Sequence, residues 1–296
     1  VTVSVLYWRF FMPLGRLVRV PRKPPAAPDE QCVCALSLDT LLLPAEGTDG
    51  KPRALEWPVP RCMTHELHSA LPRAHQDTPW RPLFATDIDG FSLAQLQRKT
   101  ERADGPCLLV AVAVHVDDAL GHSTGSASDG AAKAAAEGPT GEPTQTSTRR
   151  TLRANECVIG AYMSDPPAAT HGAHTFFGTD DTFAFAFPPA SDAAASGGFR
   201  CGMRAHRWRE HHANKEFLLS SHHCIGVGGG RDGAALYLSS DLQHGTTSLH
   251  CETFDCGPLV PGKSHGLRHV DFRVHRLWLF CLDSREYTAM TSIAPQ

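Results

Sequence analysis

Ile225 and Val227 lead into three consecutive glycines, Gly228, Gly229 and Gly230, and Ala234, Leu236 and Leu238 lead out again in period-two alternation. Alternation of this kind puts one face of a strand into a core. Glycine suits the turn between them, because positive φ costs it little and a missing side chain lets two backbones approach. The stretch therefore reads as strand, glycine turn, strand. The next segment repeats the logic, with Leu242 and Gly245 as a turn and Thr247 to Phe254 as a further strand.

Gly228, Gly230 and Gly233 also spell G-x-G-x-x-G, a pattern that binds dinucleotides by setting a pyrophosphate on the N-terminus of the following helix. No helical pattern follows here. Ala234 to Leu238 is a short alternating run with serines behind it, and no βαβ unit of about 30 residues fits over the segment. The reading is a plain hairpin with no cofactor.

At 296 residues and 42% apolar, the chain can bury a sizeable core. With 28 basic and 31 acidic residues, its charge balance does not suggest a nucleic-acid-binding face. Ten cysteines spread singly and irregularly are read as reduced buried thiols in an intracellular setting. Val3 to Met12 is apolar but holds Arg9 and is too short to cross a membrane, which takes about 20 residues; no other stretch approaches that length.

In chain order, residues 1–61 read as an irregular extension, broken by Pro21, Pro24, Pro25, Pro28, Pro44, Pro52, Pro58 and Pro60, with the apolar run Cys32 to Leu43 between them. Thr64 is placed as the cap of a short helix through Leu67 and Leu71, with Glu66 in its first turn and Pro72 ending it. Ser92 and Gln95 form a capping-box pattern that opens a second helix, reaching about Arg102. Cys107 to Val116 is a valine-rich buried strand, and Cys157 to Met163 is its partner. Between them, residues 119–154 hold almost no large apolar side chain before Leu152 and read as a disordered insertion in a hairpin. Phe183, Phe185 and Phe187 alternate with small residues as a half-buried strand. Residues 188–205 read as a smaller insertion, Phe217 to Leu219 as a strand, Val270 to Leu282 as the strand that closes the sheet, and 285–296 as a tail.

Candidate chemistry is thin. Cys62, His65 and His68 offer a Cys-x-x-His-x-x-His spacing and His222, His223 and Cys224 lie together, but zinc usually takes two ligand pairs. Adjacent His222 and His223, placed on a strand, point to opposite faces, and His171 and His174 lack acidic company. No metal site is assigned. Ser221 beside His222, and Cys224 beside His223, are sequence neighbours without the spatial convergence a nucleophile needs. Asp87 and Asp89 are read as arranging a turn and helix start, and Asp180 and Asp181 precede the aromatic strand. Cys251 and Cys256, with four residues between them and Cys251 next to His250, form a conceivable redox pair, though a buried apolar role in a strand is the simpler reading.

Several ordered pieces together resemble the TLDc domain of the oxidation-resistance proteins. They are Asp89-Gly90-Phe91-Ser92-Leu93, the apolar strand with Gly160, the segment from Gly178 through Phe183 and Phe185, the glycine turn Gly228-Gly229-Gly230, Cys251 with Thr253 and Phe254, and the final strand with Trp278. The resemblance covers about residues 62–284. It implies an α+β, mainly β fold, a two-layer antiparallel β-sandwich flanked by a few helices. It also implies a link with oxidative-stress protection and a partner, the vacuolar proton-pumping ATPase. Because no constellation in the chain amounts to an active site, the expected function is a non-catalytic protein-interaction module that binds and regulates that pump, with no cofactor and no catalytic residue. Such a chain is expected to be cytoplasmic and peripheral to acidic-organelle membranes. The alternative is a thiol-dependent antioxidant enzyme using Cys251 or Cys256. One departure stands out: the family often has an acidic residue before the aromatic of the last strand, where this chain reads His275-Arg276-Leu277-Trp278.

Overall fold

A computed structural model describes residues 45–46, 52–53, 57, 59–101, 103–116, 152–153, 155–168, 175–189, 202–212, 214–264 and 266–282. The two expected stretches Val3 to Met12 and Cys32 to Leu43, His171 and His174, the C-terminal tail and nearly all of the 119–154 insertion lie outside them.

The described chain is mainly antiparallel β, with a few short helices. The helices are α1 (Arg61–Ala70), α2 (Arg73–Gln76), α3 (Thr86–Asp89) and α4 (Leu93–Thr100). A small ladder pairs β1 (Ala45–Glu46) with β2 (Pro52–Arg53). The main sheet holds ten strands: β3 (Arg81–Ala85), β4 (Cys107–His115), β5 (Cys157–Met163), β6 (Phe183–Phe187), β7 (Arg204–Arg207), β8 (Leu218–Ser221), β9 (Cys224–Val227), β10 (Leu236–Ser239), β11 (His244–Ser248) and β12 (His269–Cys281). Their order is β7-β6-β5-β4-β12-β11-β10-β9-β8, with β3 also on β12. The sheet curls about β12, so that β8 to β11 cover one face of β4, β5 and β6. The expected sandwich is the observed one.

Two cores result. Between the layers, the small side chains Ala111, Ala113, Ala161, Ala184 and Ala186 meet Leu218, Ile225, Val227, Leu236 and Leu238. On the outer face of β4, β5 and β6, Val110, Val158, Phe183, Phe185 and Phe187 pack beneath Leu67 of α1 and Leu71 just after it and against Trp57, Trp80, Trp278 and Phe280. This corrects the half-buried reading of the aromatic strand: all five residues of β6 are buried. The alanines are small because a second sheet lies on them, not because they face water.

β12 lies at the centre of the sheet and does not close it, contrary to the sequence reading. It serves both cores through one irregularity. A register shift between Val274 and Arg276 reverses the face on which alternate residues point. Phe272 and Val274 therefore face the core between the layers, while Trp278 and Phe280, of the same parity, face the outer one. Thr86 stitches the shift by accepting a hydrogen bond from the Leu277 amide through Oγ1, at 3.0 Å.

Other boundaries moved for local reasons. Helix α1 starts at Arg61 after Pro60, and Thr64, placed at its cap from sequence, sits inside it with Oγ1 donating back to the Pro60 carbonyl at 3.1 Å. Ser92 does cap α4, accepting from the Gln95 amide at 3.3 Å, but the Gln95 side chain reaches Asp89 instead of closing the box. The turn assigned to Leu242 and Gly245 holds only Leu242, at φ 53°. Gly245 lies within β11, where a Cβ would stand 2.3 Å from the ring of Phe272, its cross-strand partner. The strand expected over Thr247 to Phe254 stops at Ser248. Part of the smaller insertion, Arg204 and Ala205, is the start of edge strand β7.

Asp241 fastens the turn between β10 and β11. Its Oδ1 accepts from Ser239 Oγ at 2.6 Å and from the Gln243 and His244 amides, and its Oδ2 takes the His244 ring at 2.6 Å. Partial burial works to raise its carboxyl, but these hydrogen bonds win and hold it well below the usual carboxylate range. The unfolded carboxyl titrates near ~3.9. Its stabilisation is thus present above about pH 4 and is lost as pH falls through the lower folded value. Asp241→Asn should be less stable than wild type at neutral pH, and the gap should shrink in acid; urea unfolding at a series of pH values reads this, and a constant gap would refute it.

Candidate functional site

The glycine turn and the segment after β11 meet in one cluster. From Leu249 the chain enters a reverse turn in which Cys251 and Cys256 face each other as an antiparallel bridge, with both backbone hydrogen bonds formed, at 2.8 and 3.3 Å. Asp255, at φ 47°, takes the left-handed conformation that closes it. Thr253 inside the turn holds the glycines: its Oγ1 accepts from the Gly229 amide at 2.9 Å and donates to Asn214 Oδ1 at 2.5 Å, while its own amide donates to the Gly229 carbonyl at 3.2 Å. His212 Nδ1 donates to the Thr253 carbonyl at 2.7 Å.

Each glycine of the turn is needed by a neighbour's position. A Cβ on Gly228 would lie 2.7 Å from Cys251 Sγ and 2.8 Å from the Phe254 ring; one on Gly229 would strike the Glu216 side chain at 2.2 Å, and one on Gly230 the Glu252 side chain at 2.8 Å. Gly228 and Gly230 also have positive φ, 74° and 143°. Two carboxylates over a bare backbone repel the anionic phosphate that G-x-G-x-x-G would otherwise invite. Gly233 leads into β10, not into a helix. The hairpin reading holds.

Cys251 and Cys256 are both free and buried. The hydrogen bond from Cys256 draws the Cys251 thiol down to about 7; burial opposes this, and backbone N–H groups of Phe254, Thr253 and Ala235 reinforce it. The same pairing pushes the Cys256 thiol up, with burial adding to the rise. The two thiols are thus moved in opposite directions. Beside them Leu249 and Leu267 stand 40% and 48% exposed, the Leu249 amide bonded to the Arg268 carbonyl at 2.9 Å.

The remaining residues singled out from sequence lie elsewhere. Asp89 accepts from the Ala85 amide at 3.1 Å and pairs with Lys99 at 2.7 Å, Gly90 turns the chain at φ 73°, and Leu93 is buried behind Ser92 while Phe91 packs on the same core. This confirms Asp89 as the organiser of a turn and helix start. Gly160, Phe183, Phe185 and Trp278 belong to the outer core, and Gly178, at φ 87°, abuts Leu218. Asp180 and Asp181 are exposed. The carboxylates missing from the last strand come from other elements, for His275 takes Glu156 at 2.8 Å and Arg276 takes Asp87 at 3.7 Å.

Metal-like spacings do not converge. Cys62 is disulfide-bonded, which corrects the expectation of reduced thiols at that position, and the ring of His68 is held by the Gln76 carbonyl. His222 and His223 lie in the two-residue turn between β8 and β9, not on a strand, and both are exposed, whereas Ser221 Oγ and Cys224 Sγ are in contact at 3.3 Å. Among the described residues no group of three or more His, Cys, Asp or Glu could hold a metal ion. No helix among them is long and apolar enough to cross a membrane.

Sequence reasoning missed Asn214, Glu216, Glu252 and His212 as members of the glycine-turn cluster. Their only sequence signal is polarity next to a strand start, which says nothing about what lies opposite. A comparison with curated proteins finds no match. The TLDc domain profile matches residues 62–277, most of the chain. That span includes the glycine turn, the Cys251 turn, both cores' principal strands and β12 through its reversal. The chain belongs to the TLDc domain family.

Proposed function

We propose that this chain is a non-catalytic interaction module that docks on the vacuolar proton-pumping ATPase and shifts its assembly or activity, with protection against oxidative stress as the outcome. Membership of the TLDc family carries the reading. The use of the signature residues supports it: Gly160, Phe183, Phe185 and Trp278 pack a core, and Asp89, Thr253 and the glycines brace turns. Their role is to hold a surface in shape. The domain acts from the cytoplasmic side, at the periphery of acidic organelles, and takes proteins, not nucleic acid, as partners.

Purified pump passed over the immobilised, folded chain should be retained through peripheral-stalk or catalytic-head subunits. Absence of every pump subunit from the eluate would remove the reading. A second reading, a thiol-dependent antioxidant enzyme, is favoured by the opposed Cys251 and Cys256 and by the depressed Cys251 thiol. It requires that replacing both by Ser abolish hydroperoxide turnover, while a binding module so changed keeps its partner.

A further inference from the structure

Cys251 and Cys256 are not merely close in sequence; the backbone registers them as directly opposed partners. Opposed residues of a hydrogen-bonded antiparallel pair have Cα atoms about 5.5 Å apart, inside the range a disulfide spans. The pair sits near the surface, with Asp255 and Gly257 exposed on either side of Cys256. We propose that Cys251 and Cys256 form a reversible disulfide on exposure to hydroperoxide, and that its closure alters the glycine turn Gly228–Gly230.

The chemistry balances with hydroperoxide as the oxidant. The Cys251 thiolate attacks the outer peroxide oxygen; an S–O bond forms, the O–O bond breaks, and the alkoxide that leaves takes a proton to become an alcohol. Cys256 sulfur then attacks the Cys251 sulfenic acid. The S–S bond forms as the S–O bond breaks, and hydroxide leaves with the Cys256 proton as water. A dithiol reductant reverses the bond. Cys251 is the first to react because it is the more acidic thiol of the two, and Cys256 resolves.

The link to the turn is direct. Cys251 Sγ lies against the Gly229 carbonyl at 3.6 Å and fills the space where a Gly228 side chain would be. Thr253, midway between the two cysteines, carries the hydrogen bonds to Gly229 and Asn214. Closing the disulfide draws Sγ away from Gly229 and shifts the segment on which Thr253 rides. Another opposed pair, Cys107 and Cys281, provides an internal control. Both are 0% exposed, as Cys251 is, but the Cys107 thiol is pushed up, first by its hydrogen bond with Cys281 and then by burial, where the Cys251 thiol is drawn down.

The test treats the folded full chain with hydroperoxide, blocks free thiols and maps the peptides by mass spectrometry. The expected product is a Cys251–Cys256 linkage with loss of two hydrogens, reversed by dithiothreitol, with Cys107 and Cys281 still blocked as thiols. Cys256→Ser should stop at a Cys251 sulfenic acid, captured by dimedone. Hydrogen exchange at the Gly228–Gly230 amides should change on oxidation of wild type and not of Cys256→Ser. Absence of the linkage with folded protein, or equal oxidation of Cys107 and Cys281, would overturn the assignment; a linkage that leaves those amides unchanged would overturn the coupling. None of these readouts involves the proton pump, so the inference and the proposed function fail separately.

Discussion

Trp57→Ala is expected to destabilise the domain by about 3–5 kcal/mol, the range for emptying a buried large aromatic site. Trp57 is only 9% exposed, and its ring stands edge-on to Trp80, Trp278 and Phe280 with centroids 6.3, 5.3 and 5.4 Å away. Its indole N–H donates to Thr64 Oγ1 at 3.0 Å, which ties it to α1. The buried Trp80 and Trp278 N–H groups have no hydrogen-bond partner among the described residues. Removing the ring leaves a cavity where the outer core, α1 and β12 meet. Deleting residues 1–60 removes Trp57 and Val59 together and should cost at least as much. Urea unfolding monitored by far-ultraviolet circular dichroism gives the value; a loss under about 1 kcal/mol would show that the site collapses around the gap.

Gly160→Ala is expected to cost roughly 3 kcal/mol or more, at or above the upper end for overpacking. An added Cβ would lie 2.0 Å from the Leu109 carbonyl oxygen and 2.6 Å from the end of the Phe185 ring. The ring is the cross-strand partner and can turn; the carbonyl belongs to the backbone of β4 and cannot move without opening the β4–β5 ladder. Adding Phe185→Leu should therefore restore only part of the loss. A thermal melt of the single and double variants decides the matter, and full recovery in the double variant would place the strain in the ring alone.

The parts of the fold legible in the sequence are those set by a residue's own neighbours. Ser92 announces a helix start because its hydroxyl meets an amide three residues on, and Cys107 to Val116 announces a strand because β-branching and unbroken apolarity leave little else. Phe183, Phe185 and Phe187 give away one buried face, but alternation is blind to a second sheet over Ala184 and Ala186. The face reversal in β12 was hidden for a related reason, since one shifted residue inside Val270 to Leu282 leaves the run equally apolar. At the glycine turn, the hairpin followed from local chemistry. The opposition of Cys251 and Cys256 did not, because Thr247 to Phe254 alternates well enough to pass for a strand, and only the left-handed Asp255 folds the segment back.

The most direct test of the proposed account is a titration of purified vacuolar proton pump with the purified chain, following ATP hydrolysis, using wild type and Cys256→Ser. The account predicts a saturable change in hydrolysis rate with both proteins under reducing conditions. A rate that stays constant at every concentration, while the folded chain turns over hydroperoxide in a reaction that replacing both Cys251 and Cys256 by Ser abolishes, would contradict it and establish thiol catalysis in its place.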